Sequence, residues 1–344
     1  MNRPLQNEGT PRLRCAAASI SVPARLHLGF LDLHGGLGRR FGSFGITLDG
    51  VETRLRVEPA DDISAQGPSA DRAEDFARRI RGALGIPGGV RIDIEEAIPE
   101  HAGLGSGTQL GLAVCAAYAG LYGFETSARE IAWRLGRGAR SGIGIGAFEL
   151  GGVLLDGGRL TAEDSPPAPI ISRIEFPSTW RILLILDHRT QGLHGEAEAE
   201  AFKTLPPFPV ELAAHLCRLV VMVALPALVE ANLERFAAAV AELQDTTGDY
   251  FTFAQGDRYS SPGVADVLGW LKAQGIVGVG QSSWGPTGFA LLDGDETGRR
   301  LLDSAKRKWA DDAHLRFMLC RGRNRGSQID MGPSMAAKPS RMGG

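Results

Sequence analysis

Long apolar runs are missing from this chain. The longest, Leu219 to Val229, holds Pro226 and falls short of the roughly 20 residues a helix needs to cross a bilayer. The N-terminus carries Arg3, Glu8, Arg12 and Arg14 where a secretory leader needs an apolar centre. No signal peptide and no membrane are therefore expected, and a cytoplasmic setting is. Cysteine is scarce: Cys15, Cys115, Cys217 and Cys320 share no CxxC and no metal-ligand spacing. That argues against a disulfide framework or a zinc cluster and for small buried hydrophobes. Excess charge is lacking too. A formal net charge of −3 gives no basic face for nucleic acid. Internal repeats are absent.

Glycine is what the chain has in plenty, 46 in 344 residues, gathered at 35–45, 102–111, 136–158 and 275–288. Such loops let backbone approach a ligand closely. The length exceeds what one core usually serves, so two domains are expected, at 15–165 and 175–322. Pro166, Pro167, Pro169 and Pro177 lie at the boundary, and 1–14 and 323–344 read as disordered tails. In the first half, 20–33, 44–48, 51–57 and 90–96 read as strands, with a bulge or edge at Pro23. Helices are expected over 71–84, from Thr108 to Leu121, and from the capping box Ser127–Glu130. Arg137 to Gly146 reads as loop and Ala147 to Asp156 as extended chain. In the second half, strands at 181–186, 287–292 and 315–320 alternate with helices near 196–205, 210–230, 232–245, 262–274 and 296–309. That order suits a split βαβ, ferredoxin-like domain and an α+β fold class.

One stretch organises the rest: Ile98-Pro99-Glu100-His101-Ala102-Gly103-Leu104-Gly105-Ser106-Gly107-Thr108-Gln109. It leaves a strand and enters a small-residue helix, so its backbone N–H groups and the helix dipole favour a phosphate. Ser106 and Thr108 add hydroxyls that either cap the helix or reach phosphate or a metal ion.

The pattern Pro99-x3-Gly103-Leu104-Gly105-Ser106 resembles the phosphate-binding signature of the GHMP kinase superfamily, and Gly278 to Thr287 resembles its third motif. Three features depart from an ordinary kinase. The loop continues as Gly107-Thr108-Gln109 and loses a second serine. Residues 140–146 hold no carboxylate. The third motif carries a bulky Gln281-Ser282-Ser283-Trp284-Gly285-Pro286. With Pro23 to Leu33, Arg140 to Gly144 and Gly192 to Glu196, these departures resemble the β-ribofuranosylaminobenzene 5′-phosphate synthase branch. The resemblance implies a ribosomal-protein-S5-like N-terminal domain, a ferredoxin-like C-terminal domain and Mg²⁺. It also implies transfer of ribose 5-phosphate from phosphoribosyl pyrophosphate to 4-aminobenzoate or 4-hydroxybenzoate, with loss of CO2 and pyrophosphate, in tetrahydromethanopterin biosynthesis. A homodimer is compatible with it.

Such chemistry asks for phosphate donors, cations and a ring site. Gly103, Leu104, Gly105, Ser106, Gly107 and Thr108 are expected to take the phosphates. Mg²⁺, which prefers oxygen, would find Ser106, Thr108 and either Glu149 or Asp32. Arg25, Arg40 and Arg140 lie in or beside glycine-rich loops, where a guanidinium can meet phosphate or carboxylate. Arg25 stands inside an apolar strand, where an unpaired charge is costly. His27 shares its face by alternation, and His27 or His194 can orient the acceptor or move a proton. His101 is a weaker third choice. Ser141, Gln281, Ser282 and Ser283 are expected at the substrate, and Trp284 either stacks on an aromatic acceptor or fills core. An ATP-dependent small-molecule kinase and a non-catalytic ligand-binding protein remain the alternatives.

Overall fold

Alternating apolar residues from Ala18 onward build two long antiparallel strands that the other elements lean on, β1 (Ala18–Asp32) and β2 (Arg39–Ala60). The computed structural model describes residues 13–162, 164–192 and 195–333. Pro23 sits at a register shift: Pro23 faces Glu52, but Arg25 already faces Thr47. Four β2 residues, Leu48 to Val51, are skipped there, and Leu48 and Asp49 pair instead with a strand from the second half. Pro23 has no N–H to lose, so the ladder opens cheaply at that point.

The first half continues with β3 (Ile63–Gln66), α1 (Ala70–Leu84), β4 (Gly89–Glu96), α2 (Ser106–Leu121) and α3 (Ala128–Arg134). After these come α4 (Ile143–Glu149), β5 (Val153–Asp156), β6 (Arg159–Leu160) and β7 (Ile170–Ile174). The second half runs β8 (Trp180–Asp187), α5 (Gly195–Thr204), α6 (Val210–Leu219), a π-helical turn (Val220–Ala224) and α7 (Leu225–Val229). It ends with α8 (Leu233–Gln255), α9 (Pro262–Ala273), β9 (Val279–Gln281), β10 (Gly288–Asp293), α10 (Gly294–Lys308), β11 (Leu315–Gly322) and β12 (Gln328–Met331).

Among the described residues all twelve strands join one sheet, with the path β12-β1-β2-β11-β8-β10-β9. The second half's own strands stand in the order β11-β8-β10-β9, fourth-first-third-second. That is the order of a ferredoxin-like sheet, so the α+β expectation holds. Helices α1, α2 and α3 cover one core against β1, β2 and β4, while the helices from α6 to α8 close a second against β1, β2 and β8.

Four expectations are corrected. Residues 143–149 are helix, not loop or strand: the Ser141 hydroxyl accepts from Ile143 N–H at 3.2 Å, and Gln109 donates to the Gly144 carbonyl at 2.7 Å. Helix α8 runs ten residues past its expected end to Gln255, through Gly248, where a Cβ would meet the Arg258 side chain at 2.8 Å. Residues 323–333 are ordered, since β12 pairs with β1 from Ala18↔Met331 to Ser21↔Gln328. Residues 279–281, expected as loop, form β9. Of the expected tail 1–14, Arg14 is ordered, its N–H donating to the Leu121 carbonyl at 2.7 Å, while 1–12 and 334–344 lie outside the described residues.

Cys15, Cys115 and Cys320 are buried and free, as expected, whereas Cys217 is free but only partly buried. The 210–229 helix is, by length and composition, long and apolar enough to span a membrane. It packs Leu216, Leu219, Val220 and Leu228 into the protein core.

Candidate active site

The loop before α2 turns through three residues of positive φ, His101, Gly103 and Gly105. A Cβ on Gly103 would meet the Ser282 carbonyl oxygen at 2.3 Å, so no side chain fits there. Gly105 is the N-cap of α2 and makes no side-chain bond, and the N–H groups of Thr108 and Gln109 return to its carbonyl. The first-turn N–H groups of Ser106 and Gly107 are thereby left for a ligand. Neither the Ser106 nor the Thr108 hydroxyl caps the helix, which settles one of the two readings of them.

Around this turn lies an open groove of about 340 Å³, lined by Arg25, Arg72, His101, Arg137, Gly103 to Thr108 except Leu104, and Ser283 to Gly285. Arg25 donates to the Gly103 carbonyl. Burial lowers its pKa to about 10, with Glu198 opposing the shift, so it stays charged near neutrality. Arg137 lies across the Phe76 ring at 5.5 Å, and its buried Nε has no partner among the described residues. Burial and the neighbouring Arg72 lower its pKa. Arg72 pairs with Glu100 at 2.7 Å. Three guanidinium groups and two free N–H groups therefore face one groove, with no carboxylate among its lining residues. An anion of high charge density fits such a place.

A second, narrower slot adjoins it, and Ser283 and Trp284 line both. Its walls are aromatic. Trp284 packs on Phe251 at 4.5 Å, and His27 on Phe30 at 4.6 Å. The loop from Ser282 to Trp284 forms the partition: the Ser282 hydroxyl accepts from His27 N–H at 3.0 Å and donates to the Gly103 carbonyl at 2.8 Å. Ser283 N–H donates to the His27 carbonyl at 3.1 Å. Burial, then the charge on Arg25, drives the His27 pKa down to about 3, so its imidazole is neutral.

The remaining expected residues divide clearly. Arg140 meets Glu198 at 2.9 Å and lies over Phe202 at 4.8 Å, and Glu198 also accepts from the Trp284 indole at 3.1 Å. Arg140 thus braces the aromatic wall. Gln281 lines the slot while its carbonyl accepts from Ser260 at 2.7 Å. Leu104 is buried beneath the phosphate loop and accepts from Arg25 N–H. Arg40 donates to the Leu33 carbonyl at 2.9 Å and lines neither cavity. Ser141 serves α4. Asp32 accepts from Gly35 N–H at 2.8 Å as a turn cap. Glu149 is exposed at the far end of α4 from Gly144, the residue that touches Thr108, and accepts from the backbone at Ala128. It does not join Ser106 and Thr108 at the groove. His194 lies outside the described residues.

Sequence reasoning missed Arg72 and Arg137. Both carried a signal in hindsight, since a Cβ on Gly107 would meet Arg72 at 2.6 Å and Arg137 at 3.6 Å. A glycine there makes room for guanidinium groups that approach from elements far away in sequence.

Residues 71–152 match the GHMP kinases N terminal domain, and residues 224–311 match the GHMP kinases C terminal domain. The beta-ribofuranosylphenol 5′-phosphate synthase of Archaeoglobus fulgidus is 32% identical over 324 residues, covering 91% of this chain and 99% of that one. The synthase of the same name from Methanocaldococcus jannaschii is 34% identical over 302 residues, covering 80% and 89%. Among solved structures, homoserine kinase from Cytophaga hutchinsonii superposes with a TM-score of 0.64 at 17% identity, covering 96% of this chain and all of that one.

Proposed function

We propose, for a chain that belongs to the beta-ribofuranosylphenol 5′-phosphate synthase family of GHMP kinase-fold proteins, the corresponding decarboxylating pentosyl transfer. The donor is phosphoribosyl pyrophosphate and the acceptor is 4-hydroxybenzoate or 4-aminobenzoate. The product serves tetrahydromethanopterin biosynthesis. The observation that carries this reading is a cationic, carboxylate-free phosphate groove that shares a wall with a small aromatic slot.

The reaction balances within those two cavities. The bond from ribose C1′ to the diphosphate oxygen breaks, and its electron pair leaves with the diphosphate. The ring carbon bearing the carboxylate supplies the pair for a new bond to C1′. The carboxylate departs as CO2, and the pair it releases restores the aromatic ring. The ribosyl group takes the carboxylate's place, so no proton is added at that carbon. The neutral His27 therefore orients the ring rather than delivering a proton, which narrows the two roles expected of it.

Arg25, Arg72 and Arg137, with the N–H groups of Ser106 and Gly107, take up charge on the leaving diphosphate. Mg²⁺ carried on the donor would add charge neutralisation there. From this chain the Ser106 and Thr108 hydroxyls are the groups to share it. No cluster of three His, Cys, Asp or Glu side chains able to hold an ion occurs among the described residues.

A kinase would need a base or a wholly electrostatic mechanism in the same groove. Asp156, a buried carboxylate, accepts from Ser43, Gly142 and Gly158 N–H at 3.0, 2.7 and 2.9 Å and is committed to the fold. Purified protein with phosphoribosyl pyrophosphate, Mg²⁺ and carboxyl-labelled acid is expected to release labelled CO2 in step with pyrophosphate. Arg137→Met is expected to raise KM for phosphoribosyl pyrophosphate by about tenfold or more while leaving KM for the acid in place. Phosphate transfer from ATP to a small alcohol, with no CO2 from either acid, would reverse the assignment.

A further inference from the structure

Three residues that line the narrow slot each carry a buried polar atom without a hydrogen-bond partner among the described residues: His27 Nε2, Gln255 Oε1 and the Tyr259 hydroxyl. Orphaned buried polar atoms are rare, because each costs folding free energy. Three around one cavity point to a ligand that completes them.

The amide of Gln255 is not free to turn away. Its Nε2 donates to the Arg258 carbonyl at 2.8 Å, which leaves Oε1 as the orphan. Tyr259 stays protonated, since burial raises its pKa. Arg258, the cation in the slot wall, is already held by Asp249 and by Asp245 at 2.7 Å, so it does not serve a carboxylate. The slot thus offers an amide oxygen and a phenol to a ligand between aromatic faces, and no spare positive charge. As it stands the slot, about 30 Å³, has room for about two waters, so an aromatic ring enters only as its walls move apart.

We infer that Gln255 and Tyr259 bind the substituent para to the carboxylate of the acceptor, and that Gln255 makes the synthase select acids whose para group can donate a hydrogen bond. This rests on the pentosyl-transfer reading. The carboxylate-bearing carbon must face ribose C1′ across the shared wall at Ser283 and Trp284. The opposite end of the ring then reaches the residues that belong to the slot alone, Gln255 and Tyr259. During attack at the carboxylate-bearing carbon the ring loses electron density, and a para hydroxyl or amino group feeds it. That group becomes more positive and a stronger donor, so a fixed carbonyl oxygen beside it binds the transition state more tightly than the ground state.

The experiment uses the full chain with 4-hydroxybenzoate, 4-aminobenzoate and, as a probe without a donor, 4-methoxybenzoate. Wild-type protein should bind the two donor-bearing acids at least tenfold more tightly than the methoxy acid by calorimetry. Gln255→Leu should lower kcat/KM for the acids by about ten- to a hundredfold, shrink that preference to about twofold, and leave KM for phosphoribosyl pyrophosphate unchanged. Tyr259→Phe should weaken acid binding several-fold while Tm stays level or rises, because an orphaned hydroxyl is removed. A merely structural hydroxyl would lower Tm instead, and that result overturns the role given to Tyr259. Wild-type discrimination persisting in Gln255→Leu overturns the selection mechanism. If wild-type protein releases no CO2 from either acid, the pentosyl-transfer reading fails. Calorimetry still decides the slot: acid binding lost in Gln255→Leu supports it, and unchanged binding sinks it.

Discussion

Arg25 and His27 stand two positions apart on β1, and burial lowers the pKa of both, to about 10 and about 3. Near neutrality this makes Arg25 a cation for the groove and His27 an uncharged ring edge for the slot. The burial of His27 also has a consequence for folding. Its unfolded imidazole takes up a proton near the ordinary 6.5 and its folded imidazole only near 3, so the unfolded state binds more protons throughout that window. Stability is therefore fully present above the unfolded value and falls as pH drops through the window. Between pH 7 and pH 5 the contribution lost is on the order of 2 kcal/mol. Urea unfolding of wild type and His27→Asn at both pH values is expected to show that loss in wild type alone, since the other titrating groups are common to the pair. An equal loss in both proteins would mean that His27 is not buried neutral.

At the scale of elements, the seam between the two halves depends on the short stretch where β2 leaves β1 for β11. Arg323, just beyond β11, crosses it: the residue is buried, its Nη1 meets Glu52 at 2.9 Å, and its backbone bonds Thr47 and Gly152. Hydrogen bonds from Ser21, Arg323 and Arg54 hold the Glu52 carboxyl below its ordinary value against the opposing effect of burial. Arg323→Met keeps the stem, removes the fork and leaves Glu52 short of its partner. A loss of about 3 kcal/mol is expected in chemical denaturation, at the low end for a buried pair because Glu52 is partly exposed. A loss under about 0.5 kcal/mol would show that Arg54 and water replace it. Nothing in residues 323–333 announces this role, because β12 is only four residues long and exposed along its length. The long strands, α1 and the turn into α2 were legible because alternation and glycine spacing are local signals. Helix α4 was not, since its glycines pack on Thr108 and Ile170 rather than mark a loop. The same limit applied to the site. Arg25, His27 and the loop Gly103 to Thr108 could be read from one segment. Arg72, Arg137, Gln255 and Tyr259 arrive from α1, the turn after α3, the end of α8 and the turn beyond it, and only tertiary packing brings them in. Glu149 was expected because it is near in sequence, and the helix carries it to the far end.

At the scale of the whole molecule, the groove is built by both halves. Arg25, Arg72, Arg137 and the phosphate loop come from the first, and Gly192, Ser283 and Gly285 from the second. A ligand that fills it binds only when the two halves are folded against each other, so its binding free energy is added to the stability of the entire sheet. At a hundred times the dissociation constant that amounts to about 2.7 kcal/mol. Phosphoribosyl pyrophosphate with Mg²⁺ is expected to raise Tm in a concentration-dependent way, and ATP with Mg²⁺ at the same concentration is not. The contrast follows from what the cavities offer. The groove offers a diphosphate guanidinium and N–H groups, and the adjoining slot is narrow and lined by aromatic faces. If ATP raises Tm as much as phosphoribosyl pyrophosphate does, the groove recognises a polyphosphate without regard to the sugar that carries it. If Arg137→Met abolishes the shift while 4-hydroxybenzoate still binds, the two cavities are energetically separate. Each substrate would then have its own site, as the partition at Ser282 to Trp284 implies.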